Sequence, residues 1–246
     1  MQKRIRVFAG PNGSGKSTII PQVTSSIEEK RLGVFVNADE IEKTIRENSS
    51  LNFDTFKLEI DTEQIQDFFR HSSFSPISSK DNELWQKMSI ENNTLQFQGS
   101  IDSYIAADLA DFIRRNLVKN QASFTFETVL SHTSKLDFLE EAKTLGYKVY
   151  LYYIATEDPA FNIERVRMRI LKNGHPVSDE AIRRRYYRSL DNLREAVMKS
   201  NRAYLFDNTG QFAELVAEVT NGVDVKLIDP DRVPEWVAHY LLQLDN

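Results

Sequence analysis

The residues with the most specific chemistry lie near the N-terminus, where positions 10 to 18 read GPNGSGKST. They fill every fixed position of the pattern G-x-x-x-x-G-K-[ST], in which glycine lets backbone N–H groups turn toward phosphate oxygens. A helix that follows such a turn adds the positive end of its dipole. The residues predicted to bind ATP or GTP are Gly10, Pro11, Asn12, Gly13, Ser14, Gly15, Lys16, Ser17 and Thr18.

Two side chains of this loop have predicted roles of their own. Lys16 should contact the outer phosphates, and the hydroxyl of Ser17 should ligate Mg²⁺. The alternative is a glycine-rich turn between a strand and a helix that binds no ligand. The apolar run IRVF before the loop favours nucleotide binding, because the motif functions where a strand leads into it.

Acidic residues follow two further apolar runs. Asp39 comes where a second strand ends and a helix begins, and Glu127 and Thr128 close the run FTFET. The carboxyl ends of strands border the ligand crevice of open α/β sheets, so Asp39 is predicted to orient a substrate hydroxyl and accept its proton. Its other interpretation is the N-cap of a helix that begins at Glu40. Glu127 and Thr128 are predicted to contact substrate; alternatively, Glu127 holds Mg²⁺ through water or faces solvent.

Positive charge is concentrated between residues 164 and 194, which include nine basic and four acidic residues although the whole chain carries −5. Arg165 and Arg169 lie four residues apart on one predicted helix. A second arginine-rich helix follows the turn NGHPVS, with Ser178 as its predicted N-cap. The two helices are predicted to form a lid in which Arg165 and Arg169 stabilise a transferring phosphoryl group and His175 faces the substrate. The alternative for such a run of charge is a solvated helix face.

The elements that must position these residues alternate along the chain. Strands are predicted at 4–9, 33–37, 122–127, 147–155, 203–207 and 225–229, and helices at 16–30, 101–119, 134–145, 160–172 and 179–200. This alternation predicts an α/β fold with a mostly parallel sheet and helices on both faces. Asp207 or Asn208, at the end of one strand, is predicted near a base or ribose.

Residues 49–100 break the alternation and are predicted to form an insertion within one domain that spans residues 1–246. The insertion should contain a helix at 62–70, a serine-rich loop at 71–81 and a small antiparallel element. An ordered insertion of this size usually has a functional or regulatory role.

The composition excludes several classes of site. The chain has no cysteine, which rules out disulfides, thiolate zinc sites and a cysteine nucleophile. Its four histidines are not spaced like metal ligands. No apolar stretch approaches the roughly 20 residues that span a bilayer, and the N-terminus leads directly into a strand, so a cytoplasmic location is expected. The acidic net charge of −5 disfavours non-specific nucleic-acid binding.

Five segments, taken in order, resemble the zeta-toxin family of P-loop kinases: AGPNGSGKST, VNADEI, FETVLS, IERVRMRILKNGHPVSDEAIRRRYYRSLDNL and DNTG. The phosphate loop alone is common to many proteins. The strand-end aspartate, the FET segment and the two-helix block with NGH between its helices are much more specific. The resemblance covers approximately residues 4–48 and 101–210.

The resemblance implies a P-loop kinase-type fold in which the third strand separates the first two. It also implies binding of ATP and Mg²⁺ and phosphoryl transfer to a sugar hydroxyl of UDP-N-acetylglucosamine. By position, Asp39 matches the family's catalytic base, Glu127 lies in the substrate-binding strand end, and the arginines at 165–169 match the phosphate-clamping lid. Family members are often paired with an antitoxin protein, so a protein partner is a further expectation.

A nucleotide-sugar kinase is therefore the leading functional hypothesis. Two alternatives remain open: a P-loop ATPase or switch whose nucleotide state controls a protein partner, and a polynucleotide kinase that holds a nucleic-acid end with its basic segment.

Overall fold

The structure is a computed structural model that describes residues 2–25, 27–71, 83–171 and 177–243. The chain divides into two compact units. The first unit contains Met1–Leu32 and Phe126–Asn246, and the second contains Gly33–Thr125. Positions 72–81 of the predicted serine-rich loop lie outside the described residues. Among the described residues, no helix is both long enough and apolar enough to cross a membrane.

Ten strands and ten helices are described, with bounds that follow in chain order. The strands are β1 (Arg4–Ala9), β2 (Val34–Val36), β3 (Ser50–Asn52), β4 (Met88–Glu91), β5 (Thr94–Phe97), β6 (Phe124–Thr128), β7 (Lys148–Ala155), β8 (Arg202–Asp207), β9 (Glu214–Thr220) and β10 (Asp224–Leu227). The helices are α1 (Lys16–Thr24), α2 (Glu29–Leu32), α3 (Ala38–Asn48), α4 (Thr62–His71), α5 (Ser103–Lys119), α6 (Ser134–Thr144), α7 (Pro159–Ile170), α8 (Asp179–Asp191), α9 (Leu193–Met198) and α10 (Glu235–Val237). Short 3₁₀ turns occur at Phe53–Phe56 and Leu84–Lys87, and α10 continues as a π-helical turn over Ala238–Leu242.

The first unit is built on a sheet whose centre is parallel. β7 pairs in parallel with β1 on one side and with β8 on the other, and β9 and β10 extend the sheet in antiparallel fashion beyond β8. Most residues of β1 and β7 are buried, as expected of apolar runs that are covered on both faces. The predicted α/β fold with a mostly parallel sheet is therefore confirmed, although β9 was not among the predicted strands.

Strand β6 has two neighbours. Within the first unit its last residue lies beside the end of β1, where the Gly10 amide donates to the Thr128 carbonyl at 3.3 Å. Within the second unit the neighbour of β6 is β2.

Local sequence signals explain where most helices begin. Asn37, Asp102 and Asp158 each lie in extended backbone at an N-cap and accept hydrogen bonds from the first turn of α3, α5 and α7. Ser178 caps α8 in the same way, as the sequence predicted. Pro159 occupies the first turn of α7, where its missing N–H costs no hydrogen bond.

Two predicted helices are shorter than expected. The helix predicted at 16–30 ends at Thr24, where the Thr24 and Ser25 hydroxyls donate to carbonyls of the preceding turn. Side chains that bond to the local backbone in this way compete with helix continuation. The helix predicted at 179–200 is divided at Asn192, whose side-chain amide donates to the Leu130 carbonyl at 2.9 Å.

The second unit contains the predicted insertion together with residues on both sides of it. β3, β5 and β4 form a three-stranded antiparallel sheet, and α4 occupies the segment for which a helix at 62–70 was predicted. Both the small antiparallel element and the helix of the insertion are therefore confirmed. The division of the chain into one domain with an insertion at 49–100 stays a prediction.

The turn between β4 and β5 organises this small sheet. Asn92 and Asn93 both have positive φ, 48° and 57°, as the two central residues of a tight hairpin turn require. The Asn93 side chain donates to Asp54 Oδ1 at 2.5 Å and to the Leu58 carbonyl at 2.7 Å, and it accepts from the Ile60 amide at 3.0 Å. One side chain therefore connects the hairpin to the loop that follows β3.

We predict that Asn93→Gly lowers the free energy of unfolding by about 2 kcal/mol, because it removes three hydrogen bonds while it permits the positive φ. The matched control is Asn92→Gly in the same turn, which should stay within about 0.5 kcal/mol of the wild type. Chemical denaturation of the three proteins measures both changes. Equal stabilities of the two variants would contradict the assigned role of Asn93.

Candidate nucleotide-binding site

The phosphate loop, residues 10–18, connects β1 to α1 as the sequence predicted. Gly10, Gly13 and Gly15 have φ values of 141°, 78° and 95°, a region that side-chain-bearing residues rarely adopt. Lys16 begins the helix, and the amides of Thr18 and Ile19 both donate to the Gly15 carbonyl at 3.0 and 3.3 Å. The helix N-terminus therefore follows directly from the glycine-rich turn.

Atoms of three neighbouring segments lie close to the three glycines of the loop. A Cβ atom on Gly10 would lie 2.0 Å from the Ile154 carbonyl oxygen, and one on Gly13 would lie 2.4 Å from the Asn162 carbonyl oxygen. A Cβ atom on Gly15 would lie 2.0 Å from Asn208 Nδ2. The loop is thus a cradle that only glycine can form at these three positions.

Lys16 lies inside this cradle and is 7% exposed. Its ammonium donates to the carbonyls of Gly10 and Pro11 at 2.7 and 3.0 Å, and it lies 3.8 Å from Glu127 Oε1. The ammonium is therefore held by loop carbonyls at the point where the motif predicts contact with phosphate oxygens. The proximity of Glu127 brings one predicted substrate-binding residue next to the loop.

Two asparagines that sequence reasoning did not assign to the loop donate hydrogen bonds to its carbonyls. Asn162, in α7, donates from Nδ2 to the Asn12 carbonyl at 2.7 Å, and its Oδ1 accepts from the Thr156 hydroxyl. Asn208, directly after β8, donates from Nδ2 to the Ser14 carbonyl at 2.8 Å. Asn208 was predicted only near a base or ribose, and Asn162 carried no recognisable signal because an asparagine within a helix usually faces solvent.

Arg165 is connected to the loop through Asn208. Its Nη2 donates to the Asn208 carbonyl at 2.8 Å, whereas its Nη1 is buried and finds no hydrogen-bond partner among the described residues. Arg165 is half-buried, so the guanidinium is held in a fixed orientation beside the loop. An arginine fixed in this way has a donor available for an anionic ligand.

Further polar atoms in the loop lack partners. Asn12 Oδ1 and Ser14 Oγ are buried without hydrogen bonds among the described residues, like Arg165 Nη1. Buried polar atoms are normally paired, and unpaired ones call for an explanation such as a bound ligand. The glycine cradle, the buried lysine and these unpaired atoms fit a nucleotide phosphate chain.

Ser17 and Thr18 are exposed in the first turn of α1. The Ser17 hydroxyl is therefore accessible to a metal ion carried by a nucleotide. Mg²⁺ commonly uses one or two protein ligands and takes the others from phosphates and water. Among the described residues there is no group of three or more His, Cys, Asp or Glu side chains that could hold a metal by itself.

Thr128 has a local structural contact in addition to its predicted role. Its hydroxyl accepts from the Leu130 amide at 3.1 Å, and Leu130 has a positive φ of 59°. The contact supports a tight turn after β6. Both Glu127 and Thr128 are partly exposed at this strand end.

Asp39 belongs to the second unit, where it lies in the first turn of α3. The alternative interpretation of Asp39 as an N-cap is wrong, because Asn37 is the cap and accepts from the Asp39 amide at 2.8 Å. The Asp39 carboxylate is therefore not needed for capping.

The remaining basic residues are distributed differently from Arg165. Arg169 lies exposed on the later part of α7, and His175 lies outside the described residues. Arg167 pairs with Asp179 at the start of α8, and Arg184 lies 3.9 Å from Glu180. The solvated-face interpretation thus holds for Arg167 and Arg184, while Arg165 is brought to the loop.

Two further acidic residues, Asp207 and Glu157, lie near the phosphate loop, at the end of β8 and just after β7. The Asp207 carboxylate accepts from Trp236 Nε1 at 2.7 Å and from the amide and hydroxyl of Thr209 at 2.9 and 3.1 Å. Glu157 accepts from the Glu235 amide at 3.1 Å. Burial raises the pKa of Glu157 above its ordinary value, and the nearby Asp207 charge adds to the rise.

Comparisons with known proteins identify a family and solved structures with a similar fold. A family model described as Zeta toxin matches residues 103–233, which is more than half of the chain. Among solved structures, the AvrRxo1-ORF1:-ORF2 complex is similar with a TM-score of 0.56 at 15% identity, over 94% of this chain and 62% of that chain. The same complex solved with ATP has a TM-score of 0.55. The PezAT toxin–antitoxin system of Streptococcus pneumoniae has a TM-score of 0.53 at 14% identity, over 100% of this chain and 80% of that chain.

A curated relative is matched over a shorter region. An uncharacterised protein of Haemophilus influenzae is 29% identical over 69 residues, which are 28% of this chain and 49% of that protein. The match thus spans about half the length of this relative, and the chain covers less than two thirds of the AvrRxo1 chain.

The raised pKa of Glu157 predicts a pH dependence of stability. The folded protein binds a proton at Glu157 more readily than the unfolded chain, so this residue's contribution is fully present below the ordinary value of 4.5 and is lost as the pH rises through the folded pKa. Relative to the wild type, Glu157→Gln should therefore gain melting temperature as the pH rises from about 4.5 to 7. The exposed Glu214→Gln serves as the control for loss of one negative charge. A constant difference between Glu157→Gln and the wild type across this range would contradict the interpretation.

Proposed function

The chain belongs to the zeta-toxin family, and on that premise we propose that it is an ATP-dependent kinase that phosphorylates a hydroxyl of a nucleotide sugar such as UDP-N-acetylglucosamine. The observation that carries the proposal is the glycine cradle around the buried Lys16, with the unpaired Nη1 of Arg165 beside it. The choice of acceptor rests on the family alone. A cytoplasmic location follows from the same proposal, because ATP and nucleotide sugars are cytoplasmic metabolites.

The first part of the proposal concerns the nucleotide. The backbone amides of the phosphate loop and the N-terminus of α1 would bind the phosphate chain, and Lys16 would move from the loop carbonyls to the outer phosphate oxygens. Ser17 would hold Mg²⁺, which neutralises charge on the phosphates when bound. Asn162 and Asn208 hold the carbonyls of Asn12 and Ser14 and thereby keep the loop in its binding conformation.

The second part concerns the charge that spreads over the transferring phosphoryl group. Arg165 is already oriented by the Asn208 carbonyl and retains an unpaired N–H donor. A fixed cation stabilises developing charge without first reorganising, which is the most effective form of electrostatic catalysis. Arg169 would join it from the exposed part of α7.

The third part concerns the acceptor. Asp39 would orient the acceptor hydroxyl and take its proton as oxygen bonds to the γ-phosphorus and the bond to ADP breaks, in the way an aspartate acts in protein kinases. Glu127, Thr128 and His175 would contact the nucleotide sugar. The finding that Asn37 caps α3 supports this role for Asp39, because its carboxylate has no capping function.

We also propose a protein partner of the antitoxin type. Support comes from the likeness to the PezAT toxin–antitoxin system of Streptococcus pneumoniae. Co-expression with the protein encoded beside this chain, followed by size-exclusion chromatography with and without ATP, would test the partner.

The kinase is tested by screening nucleotide sugars for acceptor-dependent release of ADP. Wild-type protein should release ADP rapidly only with its acceptor, and Asp39→Asn should reduce transfer by about 10³-fold while the dissociation constant for MgATP changes less than twofold. Lys16→Ala should weaken MgATP binding itself. Mass spectrometry of the product identifies the phosphorylated hydroxyl.

Other outcomes of the screen favour the alternative functions. Hydrolysis that no acceptor stimulates would favour a nucleotide-controlled switch, and salt-sensitive binding of oligonucleotide ends would favour a polynucleotide kinase. Full transfer activity in Asp39→Asn would remove the assignment of the base while leaving the nucleotide site intact.

A matched pair of arginine variants tests the electrostatic part of the proposal. Arg165→Met should lower kcat by about 10²-fold, because it removes a preorganised cation from the site. Arg167→Met, two positions along the same helix, removes a surface pair with Asp179 and should leave kcat within about twofold. Equal effects of the two substitutions would show that Arg165 has no special role.

A further inference from the structure

The C-terminal helix, defined here as residues 235–242, lies beyond the residues that the family model matches. Apolar side chains of this helix are buried in the first unit. Trp236 is 3% exposed, and Val237 and Leu241 are also buried. The Trp236 ring lies 5.9 Å from the ring of Tyr153, in the centre of the sheet. Neither the phosphate-loop motif nor the proposed chemistry accounts for this segment.

Two carboxylates hold the start of this helix. Trp236 donates from Nε1 to Asp207 at 2.7 Å, and the Glu235 amide donates to Glu157 at 3.1 Å. The first amides of a helix have no partner within the helix, so a carboxylate that accepts from one of them fixes the helix in place. The two acids follow or end β7 and β8, at the same edge of the sheet as the phosphate loop.

Asp207 divides its hydrogen bonds between the C-terminal helix and the segment that follows β8. Besides Trp236, its carboxylate accepts from the amide and hydroxyl of Thr209. The Thr209 hydroxyl also accepts from the Glu157 amide at 2.9 Å, which joins the two acids into one network. Hydrogen bonds to a charged acceptor are about twice as strong as neutral ones, so this network holds the backbone of residues 207–209 tightly.

Asn208 lies between Asp207 and Thr209 and contacts the phosphate loop directly. Its amide donates to the Ala155 carbonyl at 2.8 Å, and its side chain donates to the Ser14 carbonyl at 2.8 Å. The same side chain lies where a Cβ of Gly15 would be, and the Asn208 carbonyl holds Arg165. A change in the orientation of residues 207–209 would therefore alter the contacts of Asn208 with both the phosphate loop and Arg165.

We infer that Trp236 is a positioning residue for the nucleotide site, acting through Asp207 and Asn208 on the phosphate loop and on Arg165. This inference rests on the proposed function, because it concerns the affinity for MgATP. Without the indole N–H, Asp207 loses one of three donors and its carboxylate can rotate toward Thr209. Asn208 then shifts with it, and the loop amides lose part of the orientation that phosphate binding requires.

The test compares Trp236→Phe with a control of similar structural cost. Phenylalanine keeps an aromatic ring beside Tyr153 but removes the donor to Asp207. The control Ser200→Ala also removes one buried hydrogen bond from the first unit, the bond from the Ser200 hydroxyl to the Ala196 carbonyl, which has no link to Asp207. Both variants should lose a similar few degrees of melting temperature.

Calorimetric titration of the full chain with MgATP gives the decisive comparison. Trp236→Phe should raise the dissociation constant about fivefold, and Ser200→Ala should leave it unchanged. A purely structural role would lower the fraction of active protein in both variants without changing the affinity of the folded fraction. Unchanged affinity in Trp236→Phe would overturn the inference.

A spectroscopic measurement is independent of how Trp236→Phe folds. The chain contains two tryptophans, and Trp85→Phe leaves Trp236 as the sole indole. MgATP should change the fluorescence of this variant with the same dissociation constant that calorimetry gives, and a signal that does not respond would contradict the inference. If the wild-type chain binds no MgATP, the proposed function fails and this inference fails with it, whereas wild-type binding with equal affinity in Trp236→Phe removes this inference alone.

Discussion

The structure of the first unit depends on the close approach of other segments to the three glycines of the phosphate loop. The Ile154 and Asn162 carbonyl oxygens and the Asn208 amide group lie where side chains would begin at Gly10, Gly13 and Gly15. The loop keeps this conformation because β7 lies against Gly10, and because Asn162 of α7 and Asn208 after β8 donate hydrogen bonds to the carbonyls of Asn12 and Ser14. Tertiary packing therefore determines the backbone conformation of the phosphate loop. The glycines of the motif make that conformation possible but do not determine it.

The same contacts limit how α7 and α8, the two helices of the predicted lid, could move. The N-terminal half of α7 is fixed by the bonds from Asn162 to the loop and from Arg165 to Asn208. Tyr186 in α8 adds a bond to the Thr156 carbonyl at 2.5 Å, close to the start of α7. A closure that moved both helices as rigid bodies would break all three contacts, each of which is at least partly buried. Movement of the part of α7 after Arg165, which includes the exposed Arg169, would therefore have the lowest free-energy cost.

The sequence was informative where a residue type has one physical use. A complete phosphate-loop motif, Ser178 at a helix start and the apolar runs of β1 and β7 each predicted the observed local structure. It was silent on Asn162 and Trp236, because their roles arise from contacts with residues 150 and 29 positions away. Helix boundaries at Thr24 and Asn192 depend on side-chain bonds to the backbone that periodicity does not detect. The antiparallel strand β9 escaped prediction because the prediction assumed an alternation of strands and helices.

The fold, and not the composition, determines the environment of each arginine in the basic segment. The segment at 164–194 is strongly basic in sequence, yet its arginines differ in environment. Arg167 and Arg184 pair with acids on the surface, where ion pairs are weak and screened by salt. Arg165 instead packs beside the loop with part of its guanidinium buried, where its charge acts in a less polar medium. The proposed kinase needs one oriented arginine at a phosphoryl group, and Arg165 is oriented in this way, whereas binding to a nucleic-acid backbone would use many cations spread over a surface.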